Sequence, residues 1–251
     1  MICIDDMTLY RGDCLEIMQD IPDASIDMVL CDMPYGITDY EYDMCLDLDQ
    51  IWHAYRRITK PSAPIVLFSA QPFTTDLISS NRKWFRYHWI WLKSSNGAWA
   101  AAKYRPIARH EEVLVFGRGT LPYYPVMVPL DRPQKRNVSS VKSALYGGIK
   151  PPMKERIYTE KYPSTILDFP CSISGRIHPS EKPVNLLSYL VKTYTKPGET
   201  VLDHCMGSGS TLHAAHQAGR KSIGIEKDET YFSSAEKRLR ELASQQILLR
   251  A

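Results

Sequence analysis

No apolar run in this 251-residue chain approaches the roughly 18 residues that a membrane-spanning helix needs, so no membrane partner is expected. No Cys-x-x-Cys pair occurs either. The six cysteines, Cys3, Cys14, Cys31, Cys45, Cys171 and Cys205, are scattered, which argues against a zinc site and against a disulfide framework in a chain this long. His213 and His216 could share a helix face, but no cysteine or acid stands near them in sequence. No metal is expected. The first residues, Met1-Ile2-Cys3-Ile4-Asp5-Asp6, place two acids where a secretory leader would carry basic residues. The net charge of +3 is too small to imply a nucleic-acid partner by itself. A reduced, cytoplasmic, metal-free chain is the expectation.

What is present is an ordinary globular balance, 44% hydrophobic and 24% charged, which excludes a disordered chain. The first third alternates strands and helices. Met7 to Tyr10 reads as a strand, and 13–21 as a helix begun by an acid. Asp27 to Cys31 is an apolar strand of the kind buried on both faces of a parallel sheet. A helix is expected over Leu46 to Ile58, with Pro61 marking its end. Further strands are expected at Pro64 to Phe68, Tyr87 to Leu92 and Glu112 to Phe116. From about Arg118 to Lys161 no period of 2 or 3.6 persists. The pattern resumes with a helix over Pro183 to Tyr194, a strand over Thr200 to Asp203 and a helix over Ser210 to Ala218. A strand over Lys221 to Glu226 and a helix from Thr230 to about Leu242 complete it. The expected architecture is α/β, one doubly wound, mostly parallel sheet interrupted by an insertion.

Two turns carry chemistry. Val201-Leu202-Asp203-His204-Cys205-Met206-Gly207-Ser208-Gly209-Ser210-Thr211 reads as strand, glycine-rich turn and helix start. Glycines let the backbone approach a ligand, and helix-end N–H groups face it. Glu226 ends the next strand, where an acid holds ribose hydroxyls in nucleotide-binding folds. Leu212 stands where a third glycine of the dinucleotide fingerprint would be, which favours a single nucleoside without pyrophosphate. The second turn is Asp32-Met33-Pro34-Tyr35, also at the end of a buried strand. Ligands of such sheets bind outside those ends, where strand order reverses.

These residues resemble the β group of amino-methylating DNA methyltransferases. Their catalytic signature, Asp/Asn/Ser-Pro-Pro-Tyr/Phe/Trp, reads here Asp32-Met33-Pro34-Tyr35. Their Phe-x-Gly-x-Gly cofactor loop reads Cys205-Met206-Gly207-Ser208-Gly209, and His178-Pro179-Ser180-Glu181-Lys182-Pro183 is similar to their His-Pro-x-x-Lys-Pro. Gly12-Asp13 and the segment from Arg109 to Phe116 also look like β-group elements. The order, with the catalytic turn before the cofactor loop, is the permuted one. Met33 replaces a proline used through its backbone carbonyl, which methionine also supplies. Cys205 replaces the phenylalanine that packs near the cofactor.

The resemblance implies a Rossmann-like methyltransferase fold, S-adenosylmethionine as cofactor and double-stranded DNA as substrate. Asp32, Met33, Pro34 and Tyr35 would be catalytic; Asp13, His178, Lys182, Asp203, Cys205, Gly207, Ser208, Gly209 and Glu226 would hold the cofactor. Residues 1–117 would form the catalytic half, 118–165 a target-recognition insertion, and 166–251 the cofactor half. The stretch 118–161 carries nine basic residues against three acids, which suits phosphate contacts. Tyr123, Tyr124 and Tyr146 could wedge or stack there. Asp opening the turn favours N6 of adenine over N4 of cytosine. An inactive DNA-binding protein of the same fold is the alternative from another class, and a homodimer stays open. Carbon-5 methylation would need a cysteine nucleophile, and Pro170-Cys171 lies away from both turns in sequence. The implied setting is the cytoplasm of a bacterial or phage-infected cell, at the nucleoid.

Overall fold

The computed structural model describes residues 1–36, 46–93, 102–136, 156–171 and 181–250. The chain opens with β1 (Ile2–Ile4), β2 (Met7–Arg11), α1 (Cys14–Asp20), β3 (Met28–Cys31), α2 (Leu48–Ile58) and β4 (Ile65–Ser69). It continues through α3 (Phe73–Ser80), β5 (Phe85–Leu92), β6 (His110–Phe116), β7 (Val128–Arg136), β8 (Arg156–Lys161) and β9 (Ile166–Asp168). The last elements are α4 (Val184–Tyr194), β10 (Thr200–Asp203), α5 (Ser210–Gln217), β11 (Lys221–Glu226) and α6 (Glu229–Arg250).

Nine strands form one sheet in the order β1-β2-β11-β10-β3-β4-β6-β5-β9. The central run β2-β11-β10-β3-β4 is parallel throughout, while β6 runs antiparallel to β4 and β5. The doubly wound, mostly parallel sheet expected from the sequence is therefore present. Alternation along β3 explains its continuous apolar character. Val29 and Cys31 pack on one face with Met18, Ile51, Tyr55 and Phe73 of α1 to α3. Met28 and Leu30 pack on the other with Leu187, Leu190, Val191 and Ala214 of α4 and α5. A strand buried on both faces needs no polar alternation. At about 25 cal/mol per Å² of apolar area, such burial is the main force holding the layers.

From β3 the chain winds one way to β4, and from β10 the other way to β11. The order reverses between β10 and β3, which pair directly, Val201 beside Met28 and Leu202 beside Val29. The loops leaving those two strands are neighbours at the carboxyl edge, the position where this architecture binds ligands.

Three details depart from the sequence reading. The short strands β1 and β9 and the helix α3 were not expected, and α6 runs to Arg250 rather than ending near Leu242. The insertion is not without regular structure: β7 and β8 pair antiparallel within a compact unit of its own, Pro125–Ser164. Pro129 and Pro133 hide the alternation that would reveal β7. Among the described residues no helix is long and apolar enough to cross a membrane.

Candidate active site

Asp32 follows the last residue of β3, where the pleat ends and the chain turns. Its two oxygens have different donors. The Tyr35 hydroxyl donates to Oδ1 at 2.7 Å, and Lys182 Nζ donates to Oδ2 at 2.6 Å. Met33 turns its side chain into the core. Tyr35 stacks on Phe73 of α3, centroids 5.2 Å apart and planes 20° off parallel. Burial, reinforced by the Asp32 charge, pushes the Tyr35 phenol well above its ordinary range. It therefore stays an O–H donor across physiological pH.

Lys182 is the centre of a charge network. Its ammonium lies 3.2 Å from Glu111 Oε2 and 5.2 Å from the centre of the Phe68 ring, and Lys93 pairs with the other Glu111 oxygen. Burial opposes the ammonium charge, but Asp32 and Glu111 outweigh it and hold Lys182 above the ordinary lysine range. Burial likewise opposes ionisation of Glu111, yet Lys182 and Lys93 hold its carboxyl below the usual glutamate range. The structure thus sets the Lys182 ammonium against Asp32, a contact that the sequence reading, which assigns Lys182 to the cofactor, does not anticipate. Glu111 and Phe73, given no role from sequence, are its fixed surroundings.

The glycine turn after β10 is built from positive φ angles, 50° at Gly207 and 76° at Gly209. The Gly207 N–H donates to Glu226 Oε2 at 2.9 Å and the Asp228 N–H to Oε1 at 2.8 Å. Met206 N–H bonds the Ile225 carbonyl, which ties the turn to β11. Asp203 accepts from the Cys205 N–H at 3.1 Å. Burial raises the carboxyl groups of both Asp203 and Glu226 above their usual range. Ser208 is buried beside Ser210, hydroxyl oxygens 3.1 Å apart. Asp13 serves as N-cap of α1, accepting from the Leu15 N–H at 2.9 Å. His178 lies outside the described residues.

The two turns meet. Cys31, just before Asp32, reaches His204 Nδ1 at 3.6 Å, and Cys205 reaches the same nitrogen at 3.1 Å. Burial pushes the Cys31 thiol up to about 12, and hydrogen bonding to Cys205, with burial, raises Cys14 also. This cluster is not visible in sequence, because its members come from a helix start, a strand end and a turn that lie far apart in the chain.

A carboxylate held by two donors at one strand end and a glycine turn with a strand-end acid at the next suit group transfer between a nucleoside cofactor and a second ligand. Comparison with known proteins gives that arrangement a family. The chain is 25% identical over 252 residues to DNA adenine methyltransferase YhdJ of Escherichia coli (strain K12), covering 92% of this chain and 82% of the relative. The fold matches the M1.HpyAVI–SAM complex with a TM-score of 0.63 at 22% identity, covering 92% of this chain and 99% of that one. It also matches PvuII DNA methyltransferase (cytosine-N4-specific) with a TM-score of 0.64 at 17% identity, covering 96% and 94%. The profile of the N6/N4 DNA methylases matches residues 26–237, and the chain belongs to that DNA methylase family.

Proposed function

We infer that this chain transfers the methyl group of S-adenosylmethionine to N6 of an adenine in duplex DNA. The observation that carries the reading is the Asp32 carboxylate, held by Tyr35 and Lys182 at the end of β3 beside the glycine turn. Bound there, S-adenosylmethionine supplies an electrophilic methyl group on a sulfonium centre. The residues fit it. Gly207 and Gly209 have backbone conformations that side chains disfavour. Glu226 accepts from the Gly207 N–H on one oxygen and the Asp228 N–H on the other, and a carboxylate's roughly four lone-pair sites leave room for ribose hydroxyls. Asp203, Ser208 and Cys205 line the same turn, with Asp13 at the start of the neighbouring helix.

The target amine is a poor nucleophile because its lone pair is delocalised into the base. Asp32 and the Met33 carbonyl accept its two N–H bonds and turn the lone pair out of the ring plane. A carboxylate has about four lone-pair sites, so the Tyr35 and Lys182 donors leave capacity for the amine. The amine would shed a proton as it takes up the methyl group, and Asp32 would accept that proton. Pro34 stiffens the turn, so this geometry exists before the base arrives. Tyr35, backed by Phe73, offers an aromatic surface for a base taken out of the helix.

The basic surplus of 118–161 assigns phosphate contacts to that stretch, with Asp131 to Lys135 and Lys161 exposed on β7 and β8. Adenine is preferred because Asp opens the turn. The second reading, N4 of cytosine, draws on the likeness to the cytosine-N4-specific enzyme. Labelled methyl transfer to mixed-sequence duplex DNA, followed by nucleoside mass spectrometry, separates the two. N6-methyladenine is expected; N4-methylcytosine selects the second reading. Absence of label in DNA, with cofactor bound, overturns both.

The turn's dependence on β11 gives a further expected result. A Cβ on Gly224 would stand 2.3 Å from Met206 Sδ and 2.8 Å from Leu212 Cδ2. Both neighbours are buried, so Gly224→Ala should cost about 1–3 kcal/mol in urea unfolding. It should also weaken S-adenosylmethionine binding, because Met206 carries the glycine turn. Unchanged values for both would mean the turn adapts freely.

A further inference from the structure

Three thiols and an imidazole converge behind the two turns, and of the four only Cys205, through its place in the glycine turn, has a part in the methyl transfer described above. Cys14 opens α1, Cys31 closes β3, and His204 and Cys205 follow β10. The ligating atoms of Cys14, His204 and Cys205 all lie within 4.8 Å of one another. Cys31 Sγ stands 3.6 Å from His204 Nδ1 and Cys205 Sγ 3.1 Å from the same atom. Cys14, Cys31 and His204 are buried, and Cys205 is half-buried.

The imidazole is oriented from behind. Tyr55, fully buried on α2, places its hydroxyl 2.5 Å from His204 Nε2. Metal binding would select the tautomer with the proton on Nε2, donated to the tyrosine oxygen, so that Nδ1 presents its lone pair to the ion. That is the arrangement of a metal-ligating histidine, whose second nitrogen is fixed by an outer partner. Sulfur is a poor hydrogen-bond partner for a buried imidazole, so the cluster is weakly satisfied by its own hydrogen bonds.

We propose that Cys14, Cys31, Cys205 and His204 Nδ1 bind one zinc-class ion, a borderline-soft divalent cation, in a closed tetrahedral site of three sulfurs and one nitrogen. With Zn–S about 2.3 Å and Zn–N about 2.0–2.1 Å, tetrahedral ligand atoms stand roughly 3.5–3.8 Å apart. The Cys31 and Cys205 sulfurs, at 3.6 and 3.1 Å from Nδ1, stand close to that spacing; Cys31 lies outside the group of three whose atoms are all within 4.8 Å of one another, so its side chain has the furthest to move. Each ligating thiol releases its proton to solvent, so uptake strengthens with pH. Soft thiolates with one imidazole select zinc over magnesium or calcium. The ion would pin the residue before Asp32 to the start of the glycine turn and to the first residue of α1. The site stands on its own geometry and does not depend on the reaction proposed above.

The test uses the full chain, freshly reduced and free of oxygen, titrated with Co²⁺ and then Zn²⁺. One equivalent of Co²⁺ should bind with a thiolate-to-cobalt charge-transfer band and the visible bands of a tetrahedral ion, and Zn²⁺ should bleach both. X-ray absorption of the zinc-loaded wild-type chain should show three sulfurs at about 2.3 Å and one nitrogen at about 2.0 Å. Cys14→Ser and Cys205→Ser should lose the bands, while Cys3→Ser, at an exposed thiol, keeps them. Tyr55→Phe should keep the stoichiometry and weaken affinity by about 10–100-fold. The proposal is overturned by a reduced wild-type chain that takes up no cobalt, or by an absorption spectrum with oxygen and nitrogen ligands alone. A Cys14–Cys205 disulfide formed in air by a chain that binds no metal when reduced would make the cluster a redox pair instead. The wild-type absorption spectrum decides the matter even if a serine variant fails to fold.

Discussion

Asp32→Ala is expected to abolish methyl transfer, lowering kcat by at least about 10³-fold, while S-adenosylmethionine still binds. The two effects separate because the cofactor turn belongs to β10 and β11, and Asp32 makes its side-chain bonds to Tyr35 and Lys182. The fold should survive as well. Lys182 keeps Glu111 at 3.2 Å after the substitution, so no buried cation is left without a counter-charge. Asp32→Asn is the gentler probe. Its amide oxygen can accept from Lys182 while its NH₂ donates to the Tyr35 hydroxyl oxygen, but the amide has one acceptor oxygen where the carboxylate has two and carries no charge to take the proton. Its rate should therefore fall between wild type and alanine. Single-turnover kinetics measures the loss, and equilibrium dialysis with labelled cofactor measures the binding. Near-normal turnover in the alanine variant would remove Asp32 from the mechanism.

The positions of both turns were legible because each follows a strand apolar on both faces, and such a run has few readings besides a central parallel strand. Val29 and Cys31 facing one layer and Met28 and Leu30 the other is what an unbroken apolar run means in three dimensions. Glu226 was legible for the same reason, since strand length places it at the carboxyl edge. What surrounds the turns was not. Phe73 reaches Tyr35 from α3, a helix that sequence did not announce. Glu111 lies on β6, an antiparallel strand inserted next to β4, and nothing local says that it will meet Lys182. Cysteine spacing is silent on the proposed metal site. Spacing rules find ligands that share one loop, whereas Cys14, Cys31 and Cys205 come from a helix start, a strand end and a turn, and only the sheet order brings them together.

Removing the cation at the centre of the site should have the larger effect on stability. Lys182→Met keeps length and apolar stem but, among the described residues, leaves Asp32 with no ammonium and Glu111 with Lys93 as its remaining cation. With side chains 9% and 22% exposed for Lys182 and Asp32, breaking such a pair costs about 3–5 kcal/mol, a fall in Tm on the order of 10 °C for a chain of this length. The pH dependence distinguishes pairing from packing. Glu111 is held below its ordinary value, so its contribution is present above the unfolded carboxyl value of about 4.3 and is lost as pH falls through the folded one. Lys182 is held above its ordinary value of about 10.4, so its contribution is complete below that and is lost as pH rises through the folded one. Between those limits the wild-type network contributes a constant amount, and in acid it fades. The Tm difference between wild type and Lys182→Met should therefore be widest near neutrality and narrow below about pH 4.3. Methyl transfer should fall with it, since Asp32 loses the donor that fixes one of its oxygens and with it the aim of the other. A Tm difference that stays constant into acid would mean that Lys182 fills space over Phe68 rather than neutralising the two acids.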